Sequence, residues 1–135
     1  MQRKVSHKLS ISFYDVDASG WINGGKYFEY VFYLFDLLLR SVGYSIRDFL
    51  KNGFGFPPVH YEINFEKPCT YGDEILGTLQ VTRAGNSSVE LYFEFTAGNS
   101  EKLCWGKVVV VFTNIKERKP TPIPISLKES ILSDD

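Results

Sequence analysis

Cysteine is scarce in this chain of 135 residues: Cys69 and Cys104 stand alone, with no Cys-x-x-Cys and no second pair. That scarcity excludes a disulfide framework and a cysteine-based zinc site, and reads both thiols as small core residues of a reducing compartment. An excess of either charge is also lacking. Lys and Arg number 15 against 16 Asp and Glu, a formal net charge of -1, so no chain-wide basic field draws in nucleic acid or an anionic membrane. The longest apolar stretch, Tyr27 to Leu39, is interrupted by Glu29 and Asp36 and falls short of the roughly 20 residues that span a bilayer. Neither an apolar h-region nor a small-residue cleavage site opens the chain, which is therefore read as cytoplasmic. Histidine is limited to His7 and His60, and no Gly-x-Ser-x-Gly elbow occurs. A Ser-His-Asp set cannot be assembled, and neither cysteine has an activating histidine nearby in sequence. Nor is there a glycine-rich phosphate loop, so no nucleoside triphosphate and no cofactor is expected.

What the chain does have is periodicity. Leu9, Ile11 and Phe13 alternate with Lys8, Ser10 and Ser12, the period of a half-buried strand. After a turn-rich link, Asn23 can cap a helix from about Gly24 to Ser41, stopped near Gly43. Its apolar residues, from Tyr27 and Phe28 to Leu38 and Leu39, cover nearly every face, which predicts a helix surrounded by other structure. Ser45 to Asn52 reads as a second, short helix ahead of Phe56-Pro57-Pro58, which cannot be helical. From there the period is two. Val59, Tyr61, Ile63 and Phe65 form one strand, Ile75 to Arg83 another, and Val89, Leu91, Phe93 and Phe95 a third. Leu103 to Thr113, with four consecutive valines, predicts a last strand buried on both faces. The turns Ala84-Gly85-Asn86-Ser87 and Ala97-Gly98-Asn99-Ser100 make hairpins of consecutive strands. The whole chain then reads as one α+β domain, a curved antiparallel five-stranded sheet wrapped around a long central helix. That is the hotdog architecture. Residues 126–135 are expected to be a short, loosely held tail.

Carboxylates and turn residues concentrate in Asp15-Val16-Asp17-Ala18-Ser19-Gly20-Trp21-Ile22-Asn23, between a strand and a helix start. Three kinds of chemistry suit such a segment. Asp, Asp, Ser and Gly at the first, third, fifth and sixth places match the opening of a calcium loop, but Lys26 stands where the closing bidentate Glu belongs. Turn and cap residues satisfying backbone donors are the second possibility, and the one that describes Asp15. The third is catalysis by a carboxylate beside a helix N-terminus, whose free N–H groups can hold a developing oxyanion. Gly24 and Gly25 favour the third, because glycine costs about 1 kcal/mol against Ala in a helix and two together imply a close approach to the backbone.

The run from Phe13 to Tyr30 resembles the signature of the hydroxybenzoyl-CoA thioesterase-like acyl-CoA thioesterases. Phe65-Glu66-Lys67-Pro68-Cys69-Thr70-Tyr71-Gly72-Asp73-Glu74-Ile75 is similar to the same family's strand, turn and Gly-Asp step, and Arg118 to Pro124 to its ending. The resemblance implies a thioester hydrolase acting on an acyl-CoA, with coenzyme A entering only as part of the substrate. It places the catalytic carboxylate at Asp17 and the carbonyl-polarising N–H at Gly24. Glu29 and Asp36 on the central helix are the fallback acids. Gly25, Tyr27, Val59 and His60 are candidates for substrate or coenzyme A binding. Arg83, Asn86, Ser87, Ser88, Arg118 and Lys119 are candidates for the phosphates of coenzyme A. Pro57, Pro58 and Pro68 bracket one strand, which predicts a sheet edge and, through it, a homodimer or homotetramer. A hydratase, which would need a histidine beside its acid, and a non-catalytic acyl-CoA binding module are the rival classes.

Overall fold

In a computed structural model, which describes residues 3–133, a 16-residue helix α1 (Lys26–Ser41) lies across a twisted antiparallel sheet. The sheet is built from β1 (Lys4–Ser10), β3 (Pro58–Phe65), β4 (Glu74–Ala84), β5 (Ser88–Ala97) and β6 (Lys102–Val111), in the order β1-β4-β5-β6-β3. All pairings are antiparallel. This is the expected α+β, hotdog-type arrangement. β3 is an edge strand, as its prolines require, and β1 is the other edge. A short helix α2 (Ile46–Lys51), capped by Ser45 through Asp48 N–H at 3.1 Å, follows α1 as read from the sequence.

Val31, Leu34, Phe35, Leu38 and Leu39 of α1 are buried against Leu79, Val81, Leu91, Phe93, Phe95, Val108 and Val110 of the sheet. This is the period-2 face of each strand meeting one stripe of a helix. Three expectations need correction. The helix is not enclosed on every side: Glu29, Tyr33 and Arg40 are exposed, and Phe28, Phe32 and Leu37 only half-buried. β6 is not buried on both faces, since Trp105, Lys107, Val109 and Val111 alternate with its core residues and stay partly accessible. Apolarity alone did not distinguish a doubly covered strand from a central one whose outer face carries valine. Residues 126–135 are not a loose tail over their described part. Ile125–Leu132 form helix α3, which buries Leu127 and Ile131 in the core. The segment between also orders itself: β2 (Phe54–Gly55), β7 (Thr113–Asn114) and β8 (Lys119–Pro120) make a small second sheet.

Edge strand β3 depends on a residue without a side chain. A methyl group at Gly106 of β6 would collide with the backbone carbonyl of Glu62 in β3. Gly106→Ala must push the edge strand outward, so it should cost on the order of 1–3 kcal/mol as an overpacking change. A calorimetric Tm several degrees below that of the parent checks this. An unchanged Tm would mean that β3 yields without loss.

Candidate active site

The first strand ends earlier than its alternation suggests. Ile11 turns inward, and Phe13–Asp15 form one 3-10 turn. Asp15 is the buried charged residue of the described chain, 5% exposed. Its carboxylate accepts hydrogen bonds from Ser12 N–H at 2.9 Å and Tyr30 Oη at 2.8 Å, and Lys26 Nζ stands 4.0 Å away. Burial first, and then the bond to Asp15, pushes the Tyr30 hydroxyl well above its usual range, so it stays a donor. The expected turn role of Asp15 is met, together with a tether to α1 fifteen residues later that local sequence does not reveal.

Beyond Asp15 the chain folds back on itself. Asp17 N–H bonds Trp21 O at 3.0 Å, and Gly20 N–H bonds Asp17 O at 3.0 Å, with Gly20 at φ 87°, a left-handed value that glycine takes without strain. Ile22 N–H and Asn23 N–H then reach Cys69 O and Asp15 O, both at 2.8 Å. Asn23 is not the helix cap: Gly25 holds that place without a side-chain bond, and Asn23 closes a turn ahead of it, its side chain accepting from Gly25 N–H at 3.0 Å and its carbonyl from Lys26 N–H at 2.9 Å. Regular helix begins at Lys26, two residues later than expected. Gly24 N–H meets no acceptor among the described residues.

Asp17 itself is exposed, and its Oδ1 accepts from Ser19 N–H at 2.8 Å and from the Ser19 hydroxyl. Those two bonds, the hydroxyl's first, hold the carboxyl below the ordinary aspartate value. Asp17 is therefore charged at neutral pH. The two aspartates have different partners, Asp15 with Ser12, Tyr30 and Lys26 and Asp17 with Ser19. Glu29 is paired with Lys26 at 3.0 Å and Asp36 with Arg40 at 3.1 Å.

A pocket of about 370 Å³ opens at the helix start, lined by Ile22, Gly24, Tyr27, Phe65, Glu66, Lys67 and Pro68. Tyr27 is 1% exposed, with its hydroxyl 3.2 Å from Cys69 Sγ, and forms the pocket's inner wall. The glycine at residue 24 has a local cause. A Cβ there would lie 3.0 Å from Phe65 Cζ, tighter than ordinary contact. Phe65 to Pro68 went unrecognised as pocket wall, although their motif was legible.

Asp17, Gly24, Gly25 and Tyr27 thus share one end of the sheet. The remaining candidates do not join them in this chain. Val59 and His60 are exposed at the start of β3, where the pairing register shifts, and His60 Nε2 is 3.1 Å from Glu62 Oε1. Arg83, Asn86, Ser87 and Ser88 belong to the β4–β5 hairpin, and their turn carbonyls are in use: Asn86 O accepts from Ile123 N–H, Ser87 O from Phe112 N–H and Ser88 O from Gly85 N–H. Arg118 and Lys119 are exposed beside that end. The two groups lie toward opposite ends of β4, whose eleven residues span about 36 Å at ~3.3 Å per residue.

The thioesterase-like superfamily model matches residues 11–131, nearly the whole chain and all of this site. The chain belongs to the thioesterase-like superfamily. The resemblance carried by the Phe13–Tyr30 run is confirmed, and with it the class of the protein, a thioester hydrolase. Among curated relatives, the 1,4-dihydroxy-2-naphthoyl-CoA hydrolase of Rippkaea orientalis is 25% identical over 124 residues, covering 90% of each chain. The acyl-acyl carrier protein thioesterase ATL3 of Arabidopsis thaliana is 23% identical, over 93% of this chain and 66% of its own. Among solved structures, a 1,4-dihydroxy-2-naphthoyl-CoA thioesterase from Synechocystis superposes with a TM-score of 0.88 over 95% of both chains at 22% identity. A Staphylococcus aureus protein solved in complex with CoA superposes at 0.87, over 97% of this chain and 83% of its own, at 14% identity. These likenesses establish the hotdog-type fold of the family member described here.

Ser19 lowers the titration of Asp17, and the dependence is measurable. In Ser19→Ala the Asp17 carboxyl titration, followed by carbon-detected NMR, should move upward toward the ordinary 3.8, with the sign set by removal of a donor to the ionised form. A midpoint that stays put would show that the hydroxyl contributes nothing.

Proposed function

We propose that the protein hydrolyses an aromatic acyl thioester of coenzyme A, with Asp17 as the attacking or base carboxylate and Gly24 N–H as the oxyanion donor. The observation that carries this reading is the unsatisfied Gly24 N–H on a pocket at the helix start, with a charged carboxylate on the adjoining hairpin. A donor fixed before reaction, at the positive end of a helix dipole, stabilises charge where it develops. The coenzyme A carrier and aromatic acyl group are supported by the naphthoyl-CoA relative and by the fold neighbour that holds CoA. Tyr27 and Phe65, with ring centroids 6.2 Å apart, give the pocket aromatic walls.

Two balanced routes use this geometry. As a base, Asp17 takes a proton from water while the water oxygen adds to the thioester carbonyl carbon. The carbonyl electron pair moves onto an oxygen facing Gly24 N–H, then returns to expel the CoA thiolate, which leaves as the thiol once protonated. As a nucleophile, an Asp17 oxygen adds directly, thiolate departs, and water hydrolyses the resulting mixed anhydride. Both routes need an ionised carboxylate, which Asp17 has at neutral pH, and the bonds from Ser19 favour that form further.

The active unit in this proposal is a homodimer or a homotetramer. Asp17 faces solvent, the pocket is open on one side, and the phosphate candidates lie at the wrong end of the same chain. Antiparallel pairing of β3 with its symmetry mate would satisfy the unpaired edge and is self-closing. It sets the start of one β3 beside the end of the other. The partner's Val59 and His60 then approach Phe65, and the partner's Arg118 and Lys119 come to the side from which a long anionic ligand enters.

Asp17→Asn should keep the fold and CoA-ester binding while turnover of benzoyl-CoA falls about 10²- to 10⁴-fold, the usual worth of a positioned acid–base group. Unchanged turnover would shift the reading to a binding module or to another acid. Light scattering after size exclusion, at the enzyme concentration used in the assay, should show a dimer or tetramer; a fully active monomer would remove the shared site.

A further inference from the structure

Phe65 is the last residue of β3 and shares its inward face with Tyr61 and Ile63. Tyr61 meets helix side chains, its ring centroid 4.4 Å from that of Phe28. Two residues beyond Ile63 the helix is at its first turn, so the third inward residue meets the Tyr27 ring, with centroids 6.2 Å apart, and the bare backbone of Gly24. The Phe65 ring lies against Gly24, with Cζ at 3.0 Å and Cε1 at 3.2 Å from the place a Cβ would take. Its backbone is held by pairing with Cys104 of β6. Even so, the residue remains 58% exposed. An aromatic side chain fixed at its base, tight against the helix start and open to solvent on its other side, is not behaving as core.

We propose that Phe65 is the residue that selects the acyl group, stacking on a planar aromatic acyl chain as its carbonyl reaches Gly24 N–H. The proposal rests on the hydrolase reading above and adds a determinant to it. A carbonyl oxygen bound to Gly24 N–H must come within about 3 Å of that nitrogen. The first atoms of the acyl group are then confined to the space beside the Gly24 Cα, whose boundary is the Phe65 ring. A flat, conjugated acyl group can lie along that ring in an offset stack. A saturated chain, with staggered hydrogens, touches the same ring over less of its surface and gains no quadrupole complementarity. The same contact accounts for glycine at residue 24: a side chain there and the ring at residue 65 would compete for one volume.

The test compares benzoyl-CoA with hexanoyl-CoA in wild type, Phe65→Ala, Phe65→Leu and Phe65→Trp. The ratio of kcat/KM for benzoyl-CoA to that for hexanoyl-CoA should fall about tenfold in Phe65→Ala and Phe65→Leu, the order expected from losing one aromatic pair. Phe65→Trp should retain it. Gly24→Ala should lose most activity and several degrees of Tm in the wild-type background. With Phe65→Ala also present, most of the Tm should return. A ratio that changes less than twofold in both small variants overturns the assignment, and so does a Gly24→Ala penalty independent of residue 65. Calorimetric binding of the same two esters separates this inference from its parent. If no acyl-CoA is hydrolysed yet benzoyl-CoA binds in preference, and Phe65→Ala abolishes that preference, the hydrolase reading fails and the selector stands. If binding shows no such dependence, the selector fails.

Discussion

The withdrawal of one carboxylate from water holds the site together. Asp15 takes donors from a 3-10 turn and from the first helical turns, through Ser12 N–H, Tyr30 Oη and the nearby Lys26. Its own carbonyl receives Asn23 N–H. A buried charge is tolerated only when its acceptors are filled, so these segments are obliged to meet at one point. The hairpin carrying Asp17 and the helix start carrying Gly24 are its two sides. Turnover chemistry needs such pieces placed within fractions of an ångström, and a buried charge-assisted bond supplies that stiffness where a solvent-facing loop does not.

The second constraint is length. A 16-residue helix spans about 24 Å at ~1.5 Å per residue, while β4 alone runs about 36 Å at ~3.3 Å per residue. The helix therefore cannot cover the sheet from end to end. Gly24 and Phe65 mark the place where the cover stops, and the pocket forms because strand side chains continue past it. At the far end the same shortfall is met differently, by α2, the small β2-β7-β8 sheet and α3. One end of the sheet is covered with secondary structure and the other is left concave at the Gly24–Phe65 contact.

Period-2 and helical patterning made the strands, the β4–β5 and β5–β6 hairpins, the edge position of β3 and the central helix legible, because each is written in residues close together in the chain. A meander of the last four strands, which the sequence also suggests, is not what forms, since β3 crosses over to pair with β6 and β1 takes the place beside β4. The Asp17 hairpin was legible from composition, with two carboxylates, a serine and a glycine in six residues. Asp15 was read as a turn residue and is one. Its bond to Tyr30 joins residues whose spacing has no helical or strand period, so nothing local announces it. Phe65 alternated correctly as an inward strand residue. That its ring would find Gly24 beside the helix's first turn depends on where two elements end, and element ends are the least well specified quantity in a sequence. The C-terminal helix was missed because Pro120, Pro122 and Pro124 suggest an irregular exit. Leu127 and Ile131, at helical spacing, are what draw the segment back onto the core.

The two buried cysteines acquire a meaning from the chemistry next to them. A thioester hydrolase releases a free thiol at every turnover. Once an oxidant has converted that thiol to its disulfide, any accessible protein thiolate can attack a sulfur of it, forming a mixed disulfide and releasing the other half as thiolate. Cys104 is fully inaccessible and Cys69 nearly so, and burial pushes both thiols above their usual range. Neither presents the thiolate that exchange requires. The protein can therefore produce its own leaving thiol indefinitely without becoming a disulfide partner of it, with Cys69 standing directly behind the pocket wall, shielded by Tyr27.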